Sequence, residues 1–253
     1  MFLVPIVQLA VCLLILRWLL KQKTGERFSK KAVWRFLLFG ALSAVLLFAL
    51  SFVVEIKTDA FFGMNPLLSG FLTALLTAAL LEEVFKYLLF RLAVRKNGEV
   101  KCWLDAILAA VIVAIGFTLL EDLTYLFDGA GSVLRALLPG HLLFQAVMGY
   151  YYGKARVTKQ AKYHVLSLAV PILLHTLFDM FLIALMSIVG DPSAITSLTE
   201  EQILALPYSG WMIPLLICAV AVFAATLIAL IAAAVKISRW SKRGEKQELL
   251  QAE

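Results

Sequence analysis

Long apolar stretches separated by short basic segments run through this chain from one end to the other. Seven of them approach the length of a membrane crossing: approximately residues 2–20, 33–54, 66–90, 103–127, 133–153, 164–188 and 208–235. A hydrocarbon core is spanned by about 20 residues of α-helix. Backbone amides left unpaired in lipid cost several kcal/mol each, so each stretch is expected to be helical. The pattern predicts an all-α, polytopic membrane protein with about seven transmembrane helices, forming one membrane domain over residues 1–253. Within it, residues 66–188 form the core, 2–54 and 208–235 are flanking helices, and 236–253 is a tail. The opening MFLVPIVQLA lacks the basic n-region of a cleaved signal peptide and reads as the first span.

The segments between the spans predict an orientation. Lys21, Lys23, Arg27, Lys30 and Lys31 follow the first span, and Arg91, Arg95, Lys96 and Lys101 follow the third. Lys154, Arg156, Lys159 and Lys162 follow the fifth, while Lys236, Arg239, Lys242, Arg243 and Lys246 follow the last. The alternate connections carry only Lys57 and Arg135, beside several acids. Because basic loops stay on the cytoplasmic side, the N-terminus is expected outside and the C-terminus inside. On the outer side, Thr199-Glu-Glu-Gln202 has the spacing of a capping box ahead of a short helical turn.

Composition agrees with this picture. The 253 residues are 62% hydrophobic and 16% charged, against about 25% charged in soluble domains. The formal charge of +6 comes from the basic segments, so it serves as a topology signal and no nucleic-acid partner is expected. Cys12, Cys102 and Cys218 stand too far apart to suggest a zinc motif or a disulfide framework.

Chemistry concentrates in the third to sixth spans. The third carries Glu82, Glu83 and Lys86; at 3.6 residues per turn Lys86 falls between the two carboxylates, one turn on. The fourth carries Glu121 and Asp122, with Phe117 one turn before Glu121 on the same face. The fifth carries His141, with Gln145 one turn on and Gly149 two turns on, and the sixth carries His175 with Asp179 one turn later. Pro139 and Pro171 precede the two histidines and can free a backbone carbonyl near each. An ionised group at mid-membrane costs about 2.5–3.5 kcal/mol on insertion scales, so such a set needs partners and a use. A shared polar cavity among these spans is expected, on the order of 10 Å or more from either surface at ~1.5 Å of rise per residue. His164, beside Lys162, reads as an interfacial residue, and Gly149 and Gly153 as helix-packing notches.

Taken in order, Glu82-Glu83-x-x-Lys86, Phe117-x-x-x-Glu121, His141 with Gly149, and His175-x-x-x-Asp179 resemble the four motifs of PrsW-type intramembrane proteases. These belong to a wider clan with CAAX prenyl endopeptidases and bacteriocin-processing enzymes. The likeness covers about half the chain. It departs from the wider clan, which has a His after the Phe and an Asn at the end of the last motif, where this chain has Glu121 and Asp179. The resemblance implies cleavage of a membrane-anchored protein, an anti-sigma factor, on its extracytoplasmic side. The setting it implies is the inner (plasma) membrane of a bacterial cell, during an envelope stress response. The catalytic candidates are Glu82, Glu83, Glu121, His141 and His175, with Lys86, Asp179, Phe117 and Gly149 in support.

Two chemical routes fit these residues. In one, His141, His175 and Glu121, with or without Glu82 or Glu83, ligate a divalent metal such as zinc, and Asp179 orients His175. In the other no metal takes part, and Glu82 with Glu121 or His141 activates water. Buried Glu, His and Lys also mark ion pathways, so a proton- or ion-coupled transporter is an alternative, as is a non-catalytic membrane scaffold. Inverted repeats would favour the transporter, and none is visible in the sequence.

Overall fold

The computed structural model describes residues 3–23, 26–51, 64–124, 140–189 and 199–243. Its regular elements are all helices. In chain order they are α1 (Leu3–Gln22), α2 (Lys30–Ser51), α3 (Pro66–Thr73), a π-helical segment (Ala74–Ala79), α4 (Leu80–Val94) and α5 (Trp103–Thr124). Then come α6 (Gly140–Thr158), α7 (Ala161–Val189), α8 (Glu200–Leu204), a 3₁₀ turn (Ser209–Trp211) and α9 (Met212–Arg243). Five stretches are both long and apolar enough to cross a membrane: Lys30–Leu50, Pro66–Val94, Trp103–Glu121, Ala161–Val189 and Ser209–Lys242. α1 and α6 run 20 and 19 residues in the same bundle, about 30 Å each at 1.5 Å per residue. Pro139, the segment 190–198 and the tail beyond Arg243 lie outside the described residues.

α5 is the central post. Every residue from Leu104 to Thr118 is buried, so α5 meets neighbours on all sides, mainly α2 and α6. Glycine permits the closest of these approaches. A Cβ on Gly40 of α2 would stand 1.9 Å from the Val113 carbonyl oxygen, and one on Gly116 of α5 would stand 2.1 Å from that of Leu37. The two backbones touch where neither has a side chain, and small residues at helix crossings in membranes serve this purpose. Gly149 and Gly153 do the same for α6, where added Cβ atoms would lie 2.7 Å from Ala106 O and from Trp103 Cα. α7 packs against α3, α6 and α9.

The four basic segments gather at one end of the bundle. Ser29 donates its backbone N–H and its hydroxyl to the Glu99 carboxylate at 2.6 and 2.7 Å, joining the segments that follow α1 and α4. Lys23 pairs with buried Asp105 at 3.2 Å. Trp103 packs edge-on against Trp240 (4.4 Å between centroids) and Tyr150 (6.2 Å), which brings in the ends of α9 and α6. Such aromatic clusters beside cations are typical of a membrane–water boundary. On α8, Thr199 and Gln202 form the capping box that their spacing predicted.

One helix departs from regular geometry in a place that matters. Between α3 and α4 the Leu80 N–H bonds Leu75 O, an i→i+5 pattern, over the six residues Ala74–Ala79. Each such turn absorbs one extra residue, and π-turns recur at functional sites. This one ends three residues before Glu82.

Candidate active site

Four helices bring the site together. α4 contributes Glu82, Glu83 and Lys86, α5 contributes Phe117 and Glu121, α6 contributes His141 and Gln145, and α7 contributes His175 and Asp179. Glu83 and Lys86 have no exposure at all, and Glu82, Glu121 and His175 are also buried. Charge this deep requires partners, and the helix spacing supplies the first ones. Lys86 Nζ reaches Glu82 Oε2 at 3.0 Å (i,i+4) and Glu83 Oε1 at 2.9 Å (i,i+3).

The remaining contacts cross between helices. Lys86 donates its third hydrogen bond to His141 Nδ1 at 3.0 Å and stands 3.9 Å above the Phe117 ring. An ammonium has donors only, so Nδ1 accepts and Nε2 carries the ring hydrogen. Nε2 faces Glu121 Oε2 at 2.8 Å, which fixes that tautomer. His175 lies between two carboxylates, Nδ1 3.0 Å from Glu83 Oε1 and Nε2 3.1 Å from Asp179 Oδ2. Glu83 Oε2 takes an N–H from Gln145 at 2.9 Å. Phe144 stacks on the His175 ring at 5.0 Å, and the two imidazoles meet edge-to-face at 5.1 Å. Pro171, one turn before His175 in α7, cannot donate to the Ser167 carbonyl.

Within this cluster, Glu82, Glu83, His141 and His175 each offer one ligand atom, and these atoms lie within 4.8 Å of one another. Two imidazoles and two carboxylates form a donor set suited to a divalent ion. The pocket is already arranged for positive charge, since three of its members surround the Lys86 ammonium. The donor chemistry therefore fits a metal. Glu82 Oε2 lies 4.0 Å from Nε2 of both histidines. Glu121, which the sequence also offers as a ligand, lies outside this group of four and contacts His141 Nε2 at 2.8 Å.

Comparison with known proteins places the chain in a family. The family model described as "PrsW family intramembrane metalloprotease" matches residues 29–208, which include all four site helices. The chain belongs to the PrsW family. It is an intramembrane protease, and a multi-pass membrane protein by the same evidence of sequence and helices. Its relatives include proteins named Protease PrsW. That of Geobacillus kaustophilus is 34% identical over 158 residues, 60% of this chain and 67% of the relative. The one from Halalkalibacterium halodurans is 35% identical over 161 residues, covering 60% and 70%. The Bacillus subtilis relative is 34% identical over 152 residues, covering 57% and 67%. No solved structure matches the chain at comparable significance.

The structure brings together nearly every PrsW-motif residue that the sequence singles out. Gly149 is the exception, since it packs on α5 two turns from His141 and touches none of the site's polar groups. His164 bonds the Tyr87 hydroxyl at 3.3 Å, apart from the cluster. Asp122 lies on α5, and its side chain is outside the described residues. Gln145 and Phe144 are the contributors that motif reading gave no role. A polar amide one turn from His141 in an otherwise apolar span was the available signal for Gln145.

Proposed function

We propose that the chain hydrolyses a peptide bond in a membrane-anchored protein, with Glu82, Glu83, His141 and His175 as the reactive set. The observation that carries this reading is the convergence of their ligand atoms within 4.8 Å, from three separate helices, with three of the four residues buried. Glu83, His141 and His175 would hold one divalent ion with Glu82 beside it, and zinc suits this mixed carboxylate and imidazole chemistry best. When bound, such an ion supplies Lewis-acid polarisation and a readily ionised water.

The protein's own groups divide the remaining work. Glu83 is tied by Lys86, His175 and Gln145. Glu82 is held by Lys86 and has one further pair of neighbours at 4.0 Å. We assign the base to Glu82 for this reason: it is the freer carboxylate, able to take a proton from water and pass it to the leaving nitrogen. Glu121 and Asp179 orient the rings of His141 and His175 through the nitrogen each contacts, as carboxylates commonly do beside ligating histidines. Lys86 balances the carboxylates and holds the His141 tautomer, and Phe117 and Phe144 wall the pocket with apolar surface.

A site buried among membrane-crossing helices is most directly reached by a chain in the same bilayer. The substrate is a single-span protein, with an anti-sigma factor as the candidate, cut in the plasma membrane of a bacterium during a stress response. The basic end of the bundle faces the cytoplasm, the N-terminus lies outside, and one membrane domain carries the whole activity across seven spans. The test uses purified protein in lipid nanodiscs with a single-span anti-sigma factor. Cleavage by the wild type and none by Glu82→Gln supports the reading. Metal-dependent ion flux without cleavage would favour a transporter, and binding without either would favour a scaffold.

A further inference from the structure

We propose that Gln145 is a substrate-binding residue, whose side-chain carbonyl accepts a hydrogen bond from the N–H of the peptide bond being cut. The inference rests on reading Glu82, Glu83, His141 and His175 as the proteolytic site. It starts from an acceptor with nothing to accept from. Gln145 has no exposure, and its Oε1 is buried without a hydrogen-bond partner among the described residues. Its other end is fixed, because Nε2 donates to Glu83 Oε2 at 2.9 Å. A carboxylate accepts, so the amide must present its N–H side there and turn its oxygen the other way.

Neighbouring donors are spoken for. Lys86 directs three hydrogen bonds at Glu82, Glu83 and His141. His141 Nε2 faces Glu121, and the two ring nitrogens of His175 face Glu83 and Asp179. Phe144 and Phe117 supply only rings to this pocket. A buried carbonyl without a donor is unfavourable, and native proteins seldom keep one. The donor therefore comes from what enters the site. In a protease that is a peptide main chain, whose N–H groups need acceptors wherever water is scarce.

The place of Gln145 selects which N–H. Its amide is anchored on Glu83, the residue next to the base Glu82, which sets its oxygen on the side of the site where the leaving nitrogen takes up its proton. During hydrolysis water adds its oxygen to the carbonyl carbon, the C–N bond breaks, and the proton taken by Glu82 goes to the nitrogen. That nitrogen keeps its original hydrogen throughout. Holding this hydrogen on Gln145 turns the nitrogen lone pair toward the acid that protonates it.

The test compares two forms of one single-span substrate, with an amide or an ester at the cleavage position. The ester has no N–H for Gln145 to hold. In Gln145→Met, both the acceptor and the bond to Glu83 are lost, and loss of the latter slows both substrates alike. The ratio of kcat/KM on amide to that on ester should fall about tenfold from its wild-type value, the usual worth of one neutral hydrogen bond. Gln145→Glu keeps an acceptor oxygen and should keep the wild-type ratio while slowing both reactions. Gln145→Leu serves the same comparison if the methionine variant does not accumulate. An unchanged ratio in the apolar variants overturns the proposal and leaves Gln145 as a support for Glu83. If wild-type protein cuts neither substrate, the proteolytic reading itself falls, and this role of Gln145 falls with it.

Discussion

Lys86 Nζ lies 3.0 Å from His141 Nδ1, so a tethered cation bonds a side chain that is itself suited to hold one. The ammonium and a divalent ion would draw on the same donors, Glu83 and His141, with Glu82 beside both. Replacing Lys86 by Met should strand two buried carboxylates and destabilise the metal-free protein by about 3–5 kcal/mol. Added zinc should restore much of that loss and bind about tenfold more tightly than to wild type, since a like charge has gone. Thermal melts with and without zinc read both effects. A variant that zinc does not stabilise more than wild type would separate Lys86 from the metal site.

Glu82 and Glu83 should respond differently to loss of charge. Glu82→Gln removes the freer carboxylate and should abolish cleavage with near-normal insertion and melting temperature. Glu83→Gln also disturbs the contacts with Lys86, His175 and Gln145, so it should lower stability as well as activity. Paired melting and cleavage measurements decide, and a fully active Glu82→Gln would move the base elsewhere.

Purified protein should carry close to one divalent ion per chain, measured by elemental analysis. His175→Ala should weaken metal affinity by about tenfold or more, at least as much as loss of a partner that only orients a ligand does, and lower that occupancy accordingly. Chelation should stop cleavage, and zinc should restore it. Undiminished cleavage by chelated, metal-free protein would instead decide for the carboxylate route.

The crossing of α2 and α5 leaves no room for a methyl group. Gly116→Ala should destabilise the protein by about 1–3 kcal/mol, because the Leu37 carbonyl blocks the new Cβ and both backbones must separate. Melting in detergent measures this. Wild-type stability would mean that the two helices do not meet in that register.

Orientation can be read with reporter fusions. Fusions at Lys96, at Lys159 and after Arg243 should report the cytoplasm, and one near Gln202 the outside. Reversal of the tail alone would remove one span from the count.

What could be read from the chain depends on whether a relationship lies within one helix or between helices. Lys86 beside Glu82 and Glu83, Phe117 with Glu121, and His175 with Asp179 all follow from 3.6 residues per turn. Between helices, rotation and depth are set by packing, which no single span encodes. That is why the contact of Glu121 with His141 Nε2 and the Gln145–Glu83 bond were not foreseen. The Lys23–Asp105 pair was likewise hidden, its partners falling in a basic connection and at a helix start. The span count rests on length and hydropathy; α6 is the most ambiguous case, since its polar and glycine positions face its neighbours.

The π-turn at Ala74–Ala79 has a consequence for how this sequence can vary. Removing a single residue there would let the segment relax into an ordinary α-helix with its apolar character intact. The helix before and after it would keep its relative phase, because the wide turn already holds the surplus residue. The same deletion in the regular turns of α3 or at the start of α4 has no such reserve, and everything beyond would swing by about 100° relative to everything before. The earlier half is keyed to α7, where the backbone of Gly70 lies against the Met180 carbonyl. Such a swing would therefore fall on Glu82, Glu83 and Lys86, turning them out of register with both histidines. Ala74–Ala79 is thus the one stretch of this span where the chain can shorten by a residue and leave the angular setting of the site intact.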